Sequence, residues 1–272
     1  MNTSVVLCET CGVEHSSETL KAGDCKICQD DRQYLPRSGQ SWVTLADLVS
    51  REQQMEFAEV HPRIWEIQPT PRMGIGQHSI LLRTSAGNLL WDPPAFIDAA
   101  SIARVEELGG IAAIASSHPH MFGVQLEWSA AFSNAPVYVA EADRQWLRRE
   151  GAAIRYWSES EQVLPEVKLV QTGGHFPGSA VAHFSAGEGV LLSGDTIFPT
   201  PSGWVTFMRS YPNYIPLSPN LVRHITQRIS TLDFNRLHGN FGNVIPEQAK
   251  EVVNASAERY IAWASGQNDH LG

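Results

Sequence analysis

The sequence predicts an α/β protein, an αββα sandwich preceded by a small four-cysteine module, and three observations lead there. Short apolar, β-branched runs alternate with stretches of helical spacing through most of the chain, as they do where strands are layered with helices. The alternation recurs loosely in two similar halves, with no exact repeat. Several of the apolar runs end in histidine or aspartate beside glycine, which sets polar side chains at strand ends facing one edge, where layered α/β folds bind their ligands.

The chain has 272 residues, 43% of them apolar, and eight tryptophans, enough for a full core. A formal charge of -9 argues against partners that need a broad basic face, so neither nucleic acid nor an anionic membrane surface is expected. There is no apolar run long enough to cross a bilayer and no basic-then-apolar leader; Val5-Val6-Leu7 is too short for one. A cytoplasmic protein acting on a small molecule is the expectation, and the sequence does not fix its oligomeric state.

Taken in order, the chain opens with all four of its cysteines, in Cys8-Glu9-Thr10-Cys11 and Cys25-Lys26-Ile27-Cys28, the two pairs separated by 13 residues. They have the form of two knuckles presenting four thiolates to one tetrahedral structural zinc, a zinc-ribbon-like module with Gly12 and Gly23 available for its turns. The alternatives are two disulfides, although nothing marks the chain as secreted, or a redox dithiol, although no βαβ pattern surrounds either pair. His15 is expected on a loop and not as a ligand, because four sulfurs fill the site. So short a stretch cannot bury enough surface to fold alone, and the metal would supply its folding energy. Residues 30–41 are polar, with Pro36 and Gly39, and read as a linker. The module and linker therefore occupy 1–40 and the main domain 41–272.

Thr44-Leu45-Ala46-Asp47 resembles a helix cap before Leu48, Met55 and Phe57, which predicts a short helix over 44–58. Strands follow at 63–67, 79–83 and 89–92, the last two joined by a turn at Ser85-Ala86-Gly87-Asn88, until Pro93-Pro94 ends the hairpin. Helical spacing then covers 96–108, a β-branched run 110–114, helical spacing 124–132, a strand 137–140 and a helix 141–149. In the second half the strands are expected at 167–171, 180–184, 190–192 and 234–237, with helices over 221–229 and 247–263.

The chemistry gathers at four of the loops between these elements. Ala115-Ser116-Ser117-His118-Pro119-His120-Met121-Phe122-Gly123 puts a His-x-His pair at a strand's carboxyl end. Downstream lie Gly173-Gly174-His175-Phe176-Pro177-Gly178, Leu191-Leu192-Ser193-Gly194-Asp195-Thr196 and Leu237-His238-Gly239-Asn240. Alone, His-x-His is better explained by a pair of structural or surface histidines; answered by three more loops of this kind, it points to a metal. With these motifs in this order, residues 60 to 265 resemble the metallo-β-lactamase-fold superfamily, and within it the glyoxalase-II-like hydrolases in style. The resemblance implies the same αββα sandwich, and a metal held by His118, His120, His175 and Asp195.

The family pattern continues as His-x-His-x-Asp-His, and this chain has Phe122 and Gly123 where the Asp-His would stand. Asp195 and His238 alone are too few to hold a second ion firmly. One catalytic-site divalent metal is therefore expected, zinc first, with iron or manganese as alternatives. The same departure implies that Phe122→Asp with Gly123→His would raise the occupancy of a second ion.

Three imidazoles and one carboxylate around a divalent ion suit metal-assisted hydrolysis, since such an ion acidifies bound water and polarises a carbonyl or phosphoryl oxygen. Asp195 would serve as ligand and proton acceptor. His238 would orient water, protonate a leaving group, or hydrogen-bond Asp195. Phe122 could line the substrate side of the metal, and Arg209, Tyr211 and Tyr214, in the aromatic-rich segment 204–217, could cover the site and bind substrate; a loop packed on its own aromatics is the alternative. His78 and His183 read as half-buried strand histidines. Three function classes follow: a mononuclear hydrolase of a small ester, thioester, lactone or related substrate, a mononuclear iron oxygenase of the persulfide-dioxygenase type, or a non-catalytic metal-binding protein.

Overall fold

In the computed structural model, which describes residues 4–272, the chain divides into two units, one ending at Trp157 and one beginning at Ser158. The first unit opens with a three-stranded antiparallel sheet ordered Glu14–His15, Val6–Cys8, Trp42–Thr44. This small sheet thus draws a strand from beyond residue 40. His15, expected on a loop, stands on one of its strands, with Nδ1 3.2 Å from Thr19 Oγ1 and its ring edge-on to Trp42.

The main sheet of the first unit has seven strands in the order Ile154–Trp157, Val137–Ala140, Ala113–Ala115, Gly87–Trp91, Ser79–Thr84, Ile64–Thr70, Gln54–His61. The first four are parallel and the rest antiparallel. The parallel centre is apolar on both faces, as buried parallel strands are: Ala113, Ile114 and Ala115 are wholly inaccessible. The loop leaving this strand carries the His-x-His pair, so the most buried strand of the unit fixes the loop's entry.

The cap read at Thr44 is present as a capping box with Asp47 at helix Leu45–Ser50, and a second box, Asp98 with Ser101, starts helix Ala99–Glu107. The helix expected over 44–58 is not. It stops at Ser50, Glu52 takes a left-handed turn (φ 58°), and Met55 and Phe57 lie half-buried on the strand Gln54–His61, alternating with exposed Gln54 and Glu56. Their spacing fits a period of two as well as a helical one, and pairing with Ile64–Thr70 decides for the strand. Similarly, 141–149 is a 3₁₀ helix ending at Trp146: Leu147 is extended, and the carbonyl of Arg148 accepts from Ser16 N and Thr19 Oγ1 instead of continuing a helix.

The second unit has a six-stranded sheet ordered Ser160–Leu164, Val167–Gln171, Ala180–Phe184, Val190–Leu192, Arg236–His238, Val244–Ile245, antiparallel except where Val190–Leu192 meets Arg236–His238. Helices Pro219–Ile229 and Ala249–Ala264 pack Val222, Ile225, Ala249 and Val253 into one core with Val181, Leu191 and Leu237. Each fully buried aliphatic side chain contributes about 1.5–3 kcal/mol, so this core anchors the loops after Val190–Leu192 and Arg236–His238, which carry Asp195 and Asn240. Segment 204–217, read as a loop, is built of short ribbons: Val205–Thr206 pairs with Phe198–Pro199, and Met208–Ser210 with Ile215–Pro216. Among the described residues no helix is long and apolar enough to cross a membrane.

Candidate metal centre

Among the described residues two groups could hold a metal ion, Cys8, Cys11, Cys25 and Cys28, and His118, His120, His175 and Asp195; all eight residues are buried, and within each group the candidate ligand atoms lie within 4.8 Å of one another.

In the first group the knuckles cross. Cys8 Sγ lies 3.5 Å from Cys28 Sγ, and Cys11 Sγ 3.7 Å from Cys25 Sγ. A tetrahedral zinc with bonds of about 2.3 Å sets its sulfurs about 3.8 Å apart, whereas a disulfide needs about 2.05 Å. The spacing is that of a metal tetrahedron. Gln40 braces it, donating from Nε2 to Cys8 Sγ at 3.0 Å and accepting from Cys25 N at Oε1. Thiol hydrogen bonds within the cluster hold Cys25 well below the usual thiol range, and burial pushes Cys11 up. Shared protons of this kind are released when thiolates bind a metal.

The second group draws two histidines from one loop of the first unit. His118 ends the extended chain (φ -169°, ψ 173°), and Pro119 opens the 3₁₀ turn Pro119–Met121, which brings the two imidazoles edge to face with centroids 4.9 Å apart. Ser116 Oγ closes the turn by donating to Met121 O. Asp92, missed in the sequence, organises the base of the loop. Its carboxylate accepts from Ser117 N at 2.6 Å and from Ser117 Oγ at 3.0 Å. With its single proton given to Asp92, the Ser117 hydroxyl can only accept from His118 Nδ1, 2.9 Å away, so His118 carries its proton on Nδ1 and presents the lone pair of Nε2.

His175 and Asp195 come from two loops of the second unit. His175 Nδ1 lies 3.1 Å from Met208 O, a carbonyl that can only accept, and this fixes the same tautomer as in His118. Asp195 Oδ2 lies 3.9 Å from His175 Nε2. Burial pushes the Asp195 carboxyl up to about 7, against a hydrogen bond from Asn240 that pulls it down. A carboxyl so far from water is ionised at little cost only beside a cation. Ligands of one ion at about 2.1 Å sit about 3 to 4 Å apart, and the candidate ligand atoms here lie within 4.8 Å of one another.

The other residues singled out in the sequence have separate places. His238 is wholly buried; its Nε2 accepts from Arg236 Nε at 2.9 Å, so its proton is on Nδ1. Tyr211 donates its hydroxyl to the backbone carbonyl of Asp195 at 2.8 Å, and its ring lies 6.0 Å from that of His175. Arg209 is half-buried on Met208–Ser210, the strand whose first carbonyl orients His175, whereas Tyr214 is 84% exposed at the turn that follows. His78 pairs with Glu66, and His183 with the Asp233 carbonyl.

Phe122 is buried, and Gly123 has φ 51° with its chain pressed on the Pro93-Pro94 turn: a Cβ there would lie 2.0 Å from Pro93 O and 2.8 Å from Pro94 O. The expectation that Gly123→His could rebuild a second metal site is overturned, because no side chain fits at this position without moving the backbone.

Sequence comparison matches residues 73–237 to the family described as the metallo-beta-lactamase superfamily. The uncharacterized protein YmaE of Bacillus subtilis (strain 168) is 41% identical over 270 residues, spanning 97% of this chain and 98% of that one. Among solved structures, DIM-1 metallo-beta-lactamase superposes with a TM-score of 0.57 at 12% identity, covering 76% of this chain and 98% of its own. A B3 metallo-beta-lactamase with an active-site glutamic acid gives a TM-score of 0.54 at 12% identity, covering 89% of this chain and 99% of its own. At such identities the structural likeness speaks for the fold.

Proposed function

The chain belongs to the metallo-beta-lactamase superfamily, and from that premise we propose that it is a metal-dependent hydrolase of a small ester, thioester, lactone or related substrate. It would hold one divalent ion at His118, His120, His175 and Asp195, and one structural zinc at Cys8, Cys11, Cys25 and Cys28. The observation that carries the reading is the donor set itself, three imidazoles and a desolvated carboxylate on four buried residues. An ion bound there supplies Lewis acidity and brings the pKa of bound water to about 7.

The chain's own residues divide the remaining work. Asp92 through Ser117, and the Met208 carbonyl, hold His118 and His175 in the ligating tautomer. Tyr211 and Asn240 brace Asp195, which serves as ligand and proton acceptor. His238, with its proton on Nδ1, would orient water or the leaving group by donating a hydrogen bond from Nδ1. Phe122 forms an apolar wall suited to an acyl group. The exclusion of a side chain at Gly123 favours one ion over two. Residues 1–40 would form the zinc-ribbon-like module and its linker, with the strand Trp42–Thr44 completing the module's small sheet, and 41–272 would otherwise form the hydrolase domain, in a cytoplasmic setting.

The test is a panel of esters, thioesters and lactones run with the zinc, manganese and iron forms. His175→Ala should lose the cleft metal and all hydrolysis together, and His238→Ala should lower turnover with the metal retained. No hydrolysis in any form would defeat the proposal in favour of a non-catalytic binding protein. Turnover only in the iron form, with consumption of oxygen, would favour the dioxygenase class.

A further inference from the structure

The four-cysteine module meets the loop of His118 and His120 through one buried residue. Glu14, 2% exposed, donates its backbone N–H to Gly123 O at 3.0 Å, the position directly after the end of that loop's 3₁₀ turn and Phe122. Its carboxylate reaches further. Oε1 accepts from Leu126 N at 2.9 Å, and Oε2 lies 2.5 Å from Arg149 Nη1, which also donates to Glu127 Oε1 at 2.9 Å. The helix Gln125–Ala131 starts at Val124, which has no capping side chain, so Glu14 caps it from 112 residues away in sequence.

The module is seated on the same unit by further contacts that do not involve its sulfurs. Ser16 N and Thr19 Oγ1 both donate to Arg148 O, and Lys26 and Arg32 lie over the Trp146 ring at 4.8 Å and 5.1 Å. The metal-ligand loop is therefore fixed at both ends. At its start Asp92 N donates to Ala115 O and the Asp92 carboxylate holds Ser117; at its end Glu14 holds Gly123 and the first turn of the helix. Only the second anchor comes from the cysteine module.

We propose that Glu14 is a positioning residue through which the four-cysteine module sets the loop of His118 and His120, so that metal in the module strengthens metal binding in the cleft. This rests on the reading that His118, His120, His175 and Asp195 hold an ion. The coupling is mechanical. Without its metal the module loses the folding energy that keeps the strand Glu14–His15 paired with Val6–Cys8, and the helix cap goes with it.

The experiment uses the full chain loaded with cobalt at both sites. The thiolate-to-cobalt charge-transfer band reports the module, the ligand-field bands of the nitrogen and oxygen set report the cleft, and competition with a chromophoric chelator gives the cleft affinity. Glu14→Ala should weaken the cleft severalfold, less than the about 10- to 100-fold of removing a group bonded to a metal ligand itself, with the thiolate band unchanged. Glu14→Gln keeps the acceptor for Leu126 N and should lose less. Stripping the module of wild-type protein with a mercurial should reproduce the Glu14→Ala effect.

A cleft affinity unchanged within about twofold, in Glu14→Ala or in the stripped wild type, would overturn the coupling. Should Glu14→Ala not fold, the stripped wild type decides the question by the same comparison. Wild-type protein that binds cobalt only at the cysteines overturns the cleft reading and the coupling with it, and is told apart by its missing ligand-field bands.

Discussion

Gly123→Ala adds one methyl group, and the structure states what it meets. The Cβ would sit 2.0 Å from Pro93 O, where a carbon and a carbonyl oxygen normally stay about 3.3 Å or more apart, so the loop must back away by over an ångström. Holding alanine at φ 51° costs about 1–2 kcal/mol, and overpacking a tight contact costs about 1–3 kcal/mol more. Moving the loop also strains Glu14 N to Gly123 O and Val124 N to Pro94 O, each worth about 1 kcal/mol. The total, about 4–7 kcal/mol, is a large part of a typical stability of about 5–15 kcal/mol.

The control is Gly187→Ala, where φ is 67° and nothing lies within 4 Å of the added Cβ, so that only the conformational cost applies. Urea unfolding of both variants with metals saturating should place Gly123→Ala well below Gly187→Ala, and cleft-metal competition should show weakened binding in the first alone. Equal stability of the two within about 0.5 kcal/mol, the scatter of ordinary surface substitutions, would refute the reasoning. It would also reopen the possibility of rebuilding a second metal site at Phe122 and Gly123.

Three more outcomes follow from the same contacts. Asp92→Asn should turn the Ser117 hydroxyl round to donate to His118 Nδ1, move the His118 proton to Nε2 and weaken cleft metal binding by about 10- to 100-fold, measured by competition titration of folded protein. Cys11→Ser should release about one equivalent of metal and lower the stability of the module while the cleft, more weakly, still holds its ion, checked by metal analysis and thiol titration. Tyr211→Phe removes the hydroxyl that donates to Asp195 O and should cost about 1–3 kcal/mol in denaturant unfolding, the penalty for a buried carbonyl left unsatisfied.

The candidate ligand residues were legible because their signal is local. Two histidines around one proline, or an aspartate after a glycine, announce themselves within a few residues at the end of an apolar run. The residues that support them were not. Asp92 is a single acid closing the strand Gly87–Trp91, and its partner Ser117 lies 25 positions on; Glu14 finds Arg149 across 135. Such pairings exist only after the sheet is formed. For the elements, the capping box at Thr44 was readable, but the helix end near Glu52 was not, since Met55 and Phe57 satisfy either period until the neighbouring strand selects one. The 3₁₀ turn Glu141–Trp146 reads as a longer helix because what stops it, the module on the Arg148 carbonyl, is distant in sequence. The ribbons of 204–217 are two or three residues long, too short for any periodicity to show.

The most direct test of the account is anomalous scattering from crystals of protein purified without added metal, recorded at the zinc, iron and manganese edges. The expected result is one ion among the four cysteine sulfurs and one ion bonded to His118, His120, His175 and Asp195, at about 2.0 to 2.2 Å from their nitrogen and oxygen atoms. A pair of fully occupied ions about 3.5 to 4 Å apart at the histidines would contradict it, as would crystals with no ion there at all.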